Sequence, residues 1–540
     1  MTPWDYTCLS CTGSQKLCIY DIISIVIILF LNNLYNKKAF FLYNSFAQKK
    51  IIKKNAMNTL YQSFSSHCKE FLSILISSLS RESVINIAFE CGVIRRMNKF
   101  DPWLLITALM DCLSNQDHAL CLSSIHEKYC TLAEKHGMTE RKISWEVFHD
   151  HLSKKTIEDF ITEICLRCQQ QLQKRTYSLC LDLVTALTDR IGISNILIQD
   201  GSIVNEKGQK GSSHKGIKEN QKKIQATLSF LHMDMETYTI TDANASERDY
   251  VPLDKCRGAL LLADAGYVDK SIFASIIDEE GFFIFKGRTN CTYKILGAQK
   301  RLKNKNVEIE VAEGDKVNSE KFNGKHTYDL LVEVQDKTSG TSFRMRVIKY
   351  YCPERKPGEP AHVLFYTNIP SASLDAEQIA QLYRVRWQVE LSFKIIKEFS
   401  GFIKVNTDRM HLRKALLKAA VIVYSTKQYI GKFLDSESEG RISHMKNGAY
   451  NGDTFREIIE LCIRAGKANI TNILTTGKRR IKESMESIVA MLYGKSKRLC
   501  KSKVSYINRI KGKDVSIILE IIKRKPPVSY LNDKLMLPNA

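Results

Sequence analysis

The sequence predicts an α/β protein built on a mixed sheet with flanking helices, interrupted by a β-rich insertion and bounded by helical N- and C-terminal regions. Three observations carry that expectation. Two apolar runs of strand length, Asn195 to Gln199 and Leu260 to Ala263, each lead directly into an aspartate. Alternating or β-branched runs then recur between residues 282 and 367, and helical periodicity with recognisable caps dominates both flanks. The expected division is a foreign extension at 1–56, a helical domain at 57–180, the first part of the core at 181–270, the β-rich insertion at 271–375, the second part of the core at 376–425 and a basic helical region at 426–540.

Charge narrows the partners before any motif does. A chain of 540 residues can bury a large core in several domains, and a net charge of +22 favours polyanions. Nucleic acid is the first candidate, and an acidic membrane surface is the competing one. The 16 cysteines are scattered. Two C-x2-C pairs, Cys8/Cys11 and Cys165/Cys168, lie far apart with no histidine pair at finger spacing, so they are read as reduced thiols of a cytoplasmic protein, a structural zinc site being the alternative.

Residues 1–56 differ in character from the rest of the chain. The apolar run Leu17 to Leu31 is interrupted by Asp21, flanked on its C-terminal side by clustered lysines, and shorter than the roughly 20 residues of a spanning helix. No small-residue cleavage site follows it cleanly. A signal anchor is one reading; the preferred expectation is that Met57 is the natural start and that no membrane partner exists.

From Met57 to about Leu179 the pattern is helical. Ser80 can cap a helix through Val84, Ile87 and Ala88 that stops at Gly92, and Asp101-Pro102 is a cap followed by a proline in the first helical position. A helix from Ile125 to His136 closes at Gly137, and Thr139 is expected to open another through Val147, Phe148 and Leu152. The pair suggests either a helix-turn-helix, whose second helix would offer Arg141, Lys142, Ser144, His149 and Lys154 to DNA, or a plain αα-hairpin.

At Ile193 the pattern changes to strands. Asp200 is expected at the end of a short strand, followed by Gly201 and Ser202, a place where a carboxylate holds a metal or simply forms a turn. The stretch Lys207 to Lys223, including Lys215 and Lys222, reads as a flexible basic loop suited to phosphate contact, with a solvated loop as the bland reading. Two strands follow over Ile224 to Ile240, then a polar stretch from Thr241 to Asp249. Leu260 to Ala263 is a further strand ending at Asp264-Ala265-Gly266-Tyr267. Two such aspartates, joined by a glutamate from a helix, would supply the acidic oxygens that Mg²⁺ or Mn²⁺ requires.

The stretch Gln381 to Phe399 offers that glutamate. On one continuous helix, Tyr383, Arg386, Glu390 and Lys397 fall within roughly 60° of one another at about 100° per residue. Leu382, Val385, Val389, Phe393 and Ile396 supply apolar surface elsewhere on the cylinder. A salt-bridged solvent face is the bland alternative.

Taken together, strand-Asp-Gly-Ser, strand-Asp-x-Gly-Tyr and then Y-x2-R-x3-E-x6-K, in that order, resemble the DDE transposases of the bacterial insertion-sequence-four type, over roughly Ala88 to Leu417. The resemblance implies an RNase H-like core in which Asp200, Asp264 and Glu390 are the catalytic triad and hold two Mg²⁺ or Mn²⁺ ions. It also implies that Tyr383, Arg386 and Lys397 grip phosphates near the cut. The partners implied are double-stranded DNA, as inverted-repeat ends and target, and a second copy of the chain in a paired-end dimer; the location implied is cytoplasmic and nucleoid-associated.

Runs at Phe282 to Lys286, Val307 to Val311, Leu330 to Val334, Phe343 to Tyr350 and Val363 to Thr367 resemble the family's β-rich insertion, whose basic residues, Arg288 among them, could line a DNA groove. One departure stands out. No tryptophan lies between Trp145 and Trp387, so base stacking in this region would fall to Phe283, Phe285 or Tyr293. Beyond Phe399 the chain is helical and increasingly basic, with Lys495 to Lys513 available for phosphate contact or dimerisation. Two rival readings remain: a transposase-derived DNA-binding protein without chemistry, and a metal-dependent nuclease without strand transfer.

Overall fold

Strand pairing in the computed structural model joins the two aspartate-bearing runs to the later β-rich region. The structure describes Ile74 and residues 79–531, except 98, 115–120, 136, 174, 205–212, 215–216, 219–221, 289–292, 337–339, 354–360, 400–408 and 438–514. The expectations for 1–56, for most of the basic loop including Lys215, and for Lys495 to Lys513 therefore lie outside the described residues.

The strands are β1 (Asn195–Val204), β2 (Ser213–His214), β3 (Ile217–Lys218), β4 (Lys222–Ser229), β5 (Asp234–Asp242), β6 (Ala259–Ala263), β7 (Phe282–Lys286), β8 (Lys294–Leu302), β9 (Lys305–Ile309), β10 (Tyr328–Gln335), β11 (Ser342–Tyr351) and β12 (His362–Thr367). All but the β2-β3 hairpin form one sheet in the order β5-β4-β1-β6-β7-β12-β11-β10-β8-β9. β1, β6 and β7 run parallel, and the remaining neighbours are antiparallel. The strands expected in the β-rich region thus hydrogen-bond into the same sheet as those of the core.

The centre of the sheet is covered on both sides. Every residue of β6 is buried, as strands with two packed faces require. Ile196, Ile198, Leu260, Leu262, Phe282 and Ile284 enter a large core shared with the helices. The alternate residues Leu197, Leu261, Ala263, Phe283 and Phe285 enter a second core with Tyr267 and with Ile272, Phe273 and Ile276 of α7 (Lys270–Asp278).

Helix α1 (Arg81–Glu90) is capped by Ser80, whose Oγ accepts from the Ser83 N–H at 3.2 Å. Asp101 caps α2 (Pro102–Ser114) by accepting from the Trp103 N–H at 3.0 Å and the Leu104 N–H at 3.3 Å. After α3 (Leu122–Lys135), Thr139–Arg141 forms a 3-10 turn instead of opening a helix. The next helix, α4 (Trp145–Ser153), begins at Ser144, because that hydroxyl satisfies the orphan Val147 N–H. Helices α5 (Thr156–Leu172) and α6 (Ser178–Ile191) follow, the latter closed by Gly192 at φ +76°.

Cys165 and Cys168 are buried in α5 and joined in no disulfide, and burial pushes the Cys165 thiol up to about 12. The remaining described helices are α8 (Ala376–Tyr383), α9 (Trp387–Lys394), α10 (Met410–Glu437) and α11 (Val515–Lys523). Among the described residues no helix is long and apolar enough to cross a membrane.

Candidate active site

Register brings the two aspartates to one level. β1 and β6 run parallel with Ile198 opposite Leu262, so Asp200 and Asp264, each two residues further on, lie side by side on the face whose earlier positions enter the large core. Asp200 is not at a strand end. β1 loses its partner β6 after Ile198 but stays paired with β4 as far as Val204, which keeps Asp200 and Gly201 in extended backbone. Asp264 does stand at the end of its strand and opens a 3-10 turn, Ala265–Tyr267. Each carboxylate accepts the next residue's N–H, from Gly201 at 2.8 Å and from Ala265 at 2.8 Å.

The stretch 381–399 is broken rather than one regular helix. α8 ends at Tyr383, Arg384–Arg386 is a 3-10 turn, α9 comes next, and Ile395–Phe399 is a π turn. Leu382, Val385, Val389, Phe393 and Ile396 are all buried. A tightened turn followed by a widened one keeps these apolar residues on the core while re-aiming the polar ones.

The polar residues meet at β1. The Arg386 guanidinium donates to Asp200 Oδ2 at 2.9 Å and to Glu390 Oε1 at 2.6 Å, and it lies 5.9 Å from the centre of the Tyr383 ring. The Lys397 ammonium reaches further along the same strand, to Ser202 Oγ at 2.6 Å and the Ile203 carbonyl at 2.7 Å. Arg386 and Lys397 therefore reach the strand that carries Asp200, and Glu390 and Tyr383 join it through Arg386.

Burial decides the electrostatics here. It pushes the Asp200 carboxyl up to about 6, with Glu390 and Glu247 adding to the rise and Arg386 and the Gly201 N–H opposing it. Burial works against the charge of Arg386, yet Tyr383, Asp200, Glu390 and Asp264 outweigh it and hold the guanidinium above its ordinary range. Burial also raises Tyr383 and lowers Lys397.

Asp264 lies among further cations. Lys286 Nζ is 3.8 Å from its Oδ1. Arg288 Nε donates to the Ala265 carbonyl at 3.0 Å and Arg248 Nε to the Gly266 carbonyl at 3.2 Å, so two arginines clasp the turn behind it. Of the other basic candidates, Lys222 opens β4 opposite Val204, and Lys223 is in the strand too, buried with its ammonium 2.8 Å from Glu247 Oε1. These two lysines start a strand at positions whose sequence pattern predicts a loop.

Phe283 and Phe285 are not free to stack on a base. Both are fully buried in the second core, with Phe283 stacked on Phe273 at 4.6 Å, because β7 is an interior strand covered on both faces. Tyr293 is half-buried, 6.0 Å from Tyr366 and with the Lys270 ammonium 5.6 Å from its ring centre. The residues that sequence reasoning missed are Glu247 and Arg248. Glu247 and Arg248 fall in a polar connector with no periodicity to mark them.

Carboxylate oxygens are the donor type that a hard divalent cation takes. Asp200 and Glu390 turn oxygens toward one positive charge, the Arg386 guanidinium, and Asp264 follows the end of β6, which runs parallel beside β1. Among the described residues no three carboxylates, histidines or cysteines close into a ready-made cage.

Parts of the chain are similar to known proteins. Residues 192–425 match the family described as the transposase DDE domain, a span that contains β1, β6 and the broken helix. Over 61 residues the chain is 38% identical to the putative transposase InsL for insertion sequence element IS186A of Escherichia coli strain K12, and over the same length and at the same identity it matches the transposase for insertion sequence element IS421 of Escherichia coli. Each match covers 11% of this chain and 16% of the relative's length.

Proposed function

We propose that this protein is a transposase that cleaves DNA at the ends of an insertion sequence and transfers the strand, using Asp200, Asp264 and Glu390 as its triad. The convergence of Asp200, Arg386 and Glu390 within the span that matches the transposase DDE domain carries this reading. The order β5-β4-β1-β6-β7, antiparallel up to β1 and parallel beyond it, with an aspartate on β1 and at the end of β6, supports the RNase H-like core that the resemblance implies.

The three carboxylates would hold two Mg²⁺ or Mn²⁺ ions, which when bound supply charge stabilisation at the attacking and leaving oxygens of the phosphodiester. The chain's own part is positioning. Arg386 neutralises Asp200 and Glu390 in the resting protein and is the group placed to turn from them to a phosphate. Lys397, held on Ser202 and Ile203, lies further along β1 and would grip the strand beyond the cut. Arg288 and Lys286, beside Asp264, extend the cationic surface on the other side. The substrate would be double-stranded DNA, bound by a paired-end dimer.

The test is Mg²⁺-dependent cleavage of a labelled duplex carrying the inverted repeats that flank the gene, run beside Asp200→Ala. Cleavage at the repeat boundary that is lost in the variant supports the triad. Cleavage without joining to a target would reduce the reading to a nuclease, and tight binding with no cleavage in Mg²⁺ or Mn²⁺ would leave a DNA-binding protein.

A further inference from the structure

We propose that Glu247 is a positioning residue for the carboxylate site, a strut that holds the segments bearing Asp200 and Asp264 at a fixed separation. This rests on the triad reading above and deepens it. Glu247 begins a 3-10 turn, Glu247–Tyr250, in the connector between β5 and β6. Its carboxylate fills the room that two glycines leave. A methyl group added at Gly201 would lie 3.0 Å from Oε1, and one added at Gly266 would lie 3.1 Å from Oε2. Gly201 directly follows Asp200 and Gly266 is the second residue after Asp264, so one carboxylate is wedged between both acid-bearing segments. Neither segment can move toward the other without displacing it.

The strut is anchored at both ends. Lys223 donates to Glu247 Oε1 at 2.8 Å from β4, the antiparallel partner of β1, and its side chain is only 11% exposed. The neighbouring Arg248 donates to the Gly266 carbonyl at 3.2 Å and to Asp269 Oδ2 at 3.0 Å. Next to the carboxylate, Gln225 faces Gly201 in register, is buried, and among the described residues has a partner for neither amide atom. A methyl at Gly201 would sit as close to Gln225 Oε1, 3.0 Å, as to Glu247. The carboxylate therefore stands in a polar niche. Its oxygens face two glycines and an ammonium, whereas Asp200 and Glu390 turn theirs to Arg386, so Glu247 acts through the aspartates rather than beside them.

The experiment is Mn²⁺ binding to the full-length protein, read as the electron paramagnetic resonance signal of free Mn²⁺ well below the melting temperature, with melting in EDTA measured alongside. Glu247→Ala is expected to raise the half-saturating Mn²⁺ concentration about tenfold or more, as loss of a residue that orients metal ligands does. Glu247→Gln keeps the bulk and an oxygen for Lys223, and should stay within about threefold of the parent. Should the alanine variant not fold, Glu247→Asp, one methylene too short to reach both glycines, should bind more weakly than the glutamine variant.

An alanine variant that melts lower but binds Mn²⁺ as the parent does would overturn the proposal in favour of a purely structural role. A glutamine variant as impaired as the alanine one would overturn it in favour of a direct ligand. Asp200→Ala is the control: if it leaves Mn²⁺ binding unchanged, the triad reading itself fails and the strut falls with it.

Discussion

Arg386 donates to Asp200 across 2.9 Å, tying the broken helix to a strand 186 positions earlier in the chain. The same guanidinium holds Glu390, so one cation sets the distance between two carboxylates that would otherwise repel. The surroundings of this contact make the protein's response to pH and to substitution predictable.

Without metal, stability should depend on the ionisation of Asp200. This carboxyl titrates near 6 instead of its ordinary 3.8, because the folded protein buries it. Below about pH 4 it is protonated in folded and unfolded chains alike, and its effect on stability vanishes. Between about pH 4 and 6 the unfolded chain releases the proton that the folded chain keeps, so stability falls across that window and levels off above it. Asp200→Asn should therefore stabilise the EDTA-treated protein at pH 7.5 by on the order of 2 kcal/mol, the gain fading toward pH 4. Thermal unfolding at the two pH values checks this, and an equal gain at both would contradict it.

Glu390→Ala should remove strand cleavage by at least about 1,000-fold while changing duplex affinity by less than about threefold, because in the proposed mechanism the carboxylate serves the reacting centre and not the grip on DNA. Single-turnover cleavage and a binding titration separate the two quantities. Full cleavage by the variant would remove Glu390 from the triad.

Lys397→Met should act differently. Its ammonium fastens the π turn to Ser202 and Ile203, and in the proposed mechanism it then meets a phosphate. Losing one charge-assisted contact of that kind should raise the DNA concentration needed for half-maximal cleavage roughly tenfold. The cleavage rate at saturating DNA should change much less. A loss confined to the saturated rate would place Lys397 in the chemistry instead.

Phe283→Ala should behave as a core truncation. Fully buried against Phe273, the ring should cost about 3–4 kcal/mol of stability when removed. Binding to DNA with an unpaired base near its end, measured well below the melting temperature, should be unaffected. A selective loss of that binding at unchanged stability would restore the stacking role that its position in the β-rich stretch suggests.

What the sequence by itself determined was whatever a short window encodes. Ser80 and Asp101 mark helix starts because a cap bonds to N–H groups two or three residues away. The apolar runs before Asp200 and Asp264 mark strands because burial on both faces demands continuous hydrophobicity. The spacing of Tyr383, Arg386, Glu390 and Lys397 pointed to a shared polar edge, and the apolar residues between them do enter the core.

Tertiary structure decided the rest. That Asp200 lies inside β1 comes from its pairing with β4, and that Thr139 opens no helix comes from the better cap at Ser144. The turns that break 381–399 answer to the core beneath them. Lys223 and Glu247 carry no local signal, because a lysine in a basic stretch and a glutamate in a polar connector look like solvated residues. Only the packing of β4 and the connector against Gly201 and Gly266 makes them a half-buried ion pair behind the two aspartates. Caps and periods are set by neighbours a few residues away, whereas burial and charge pairing are set by whichever distant segment arrives, and no local pattern records that.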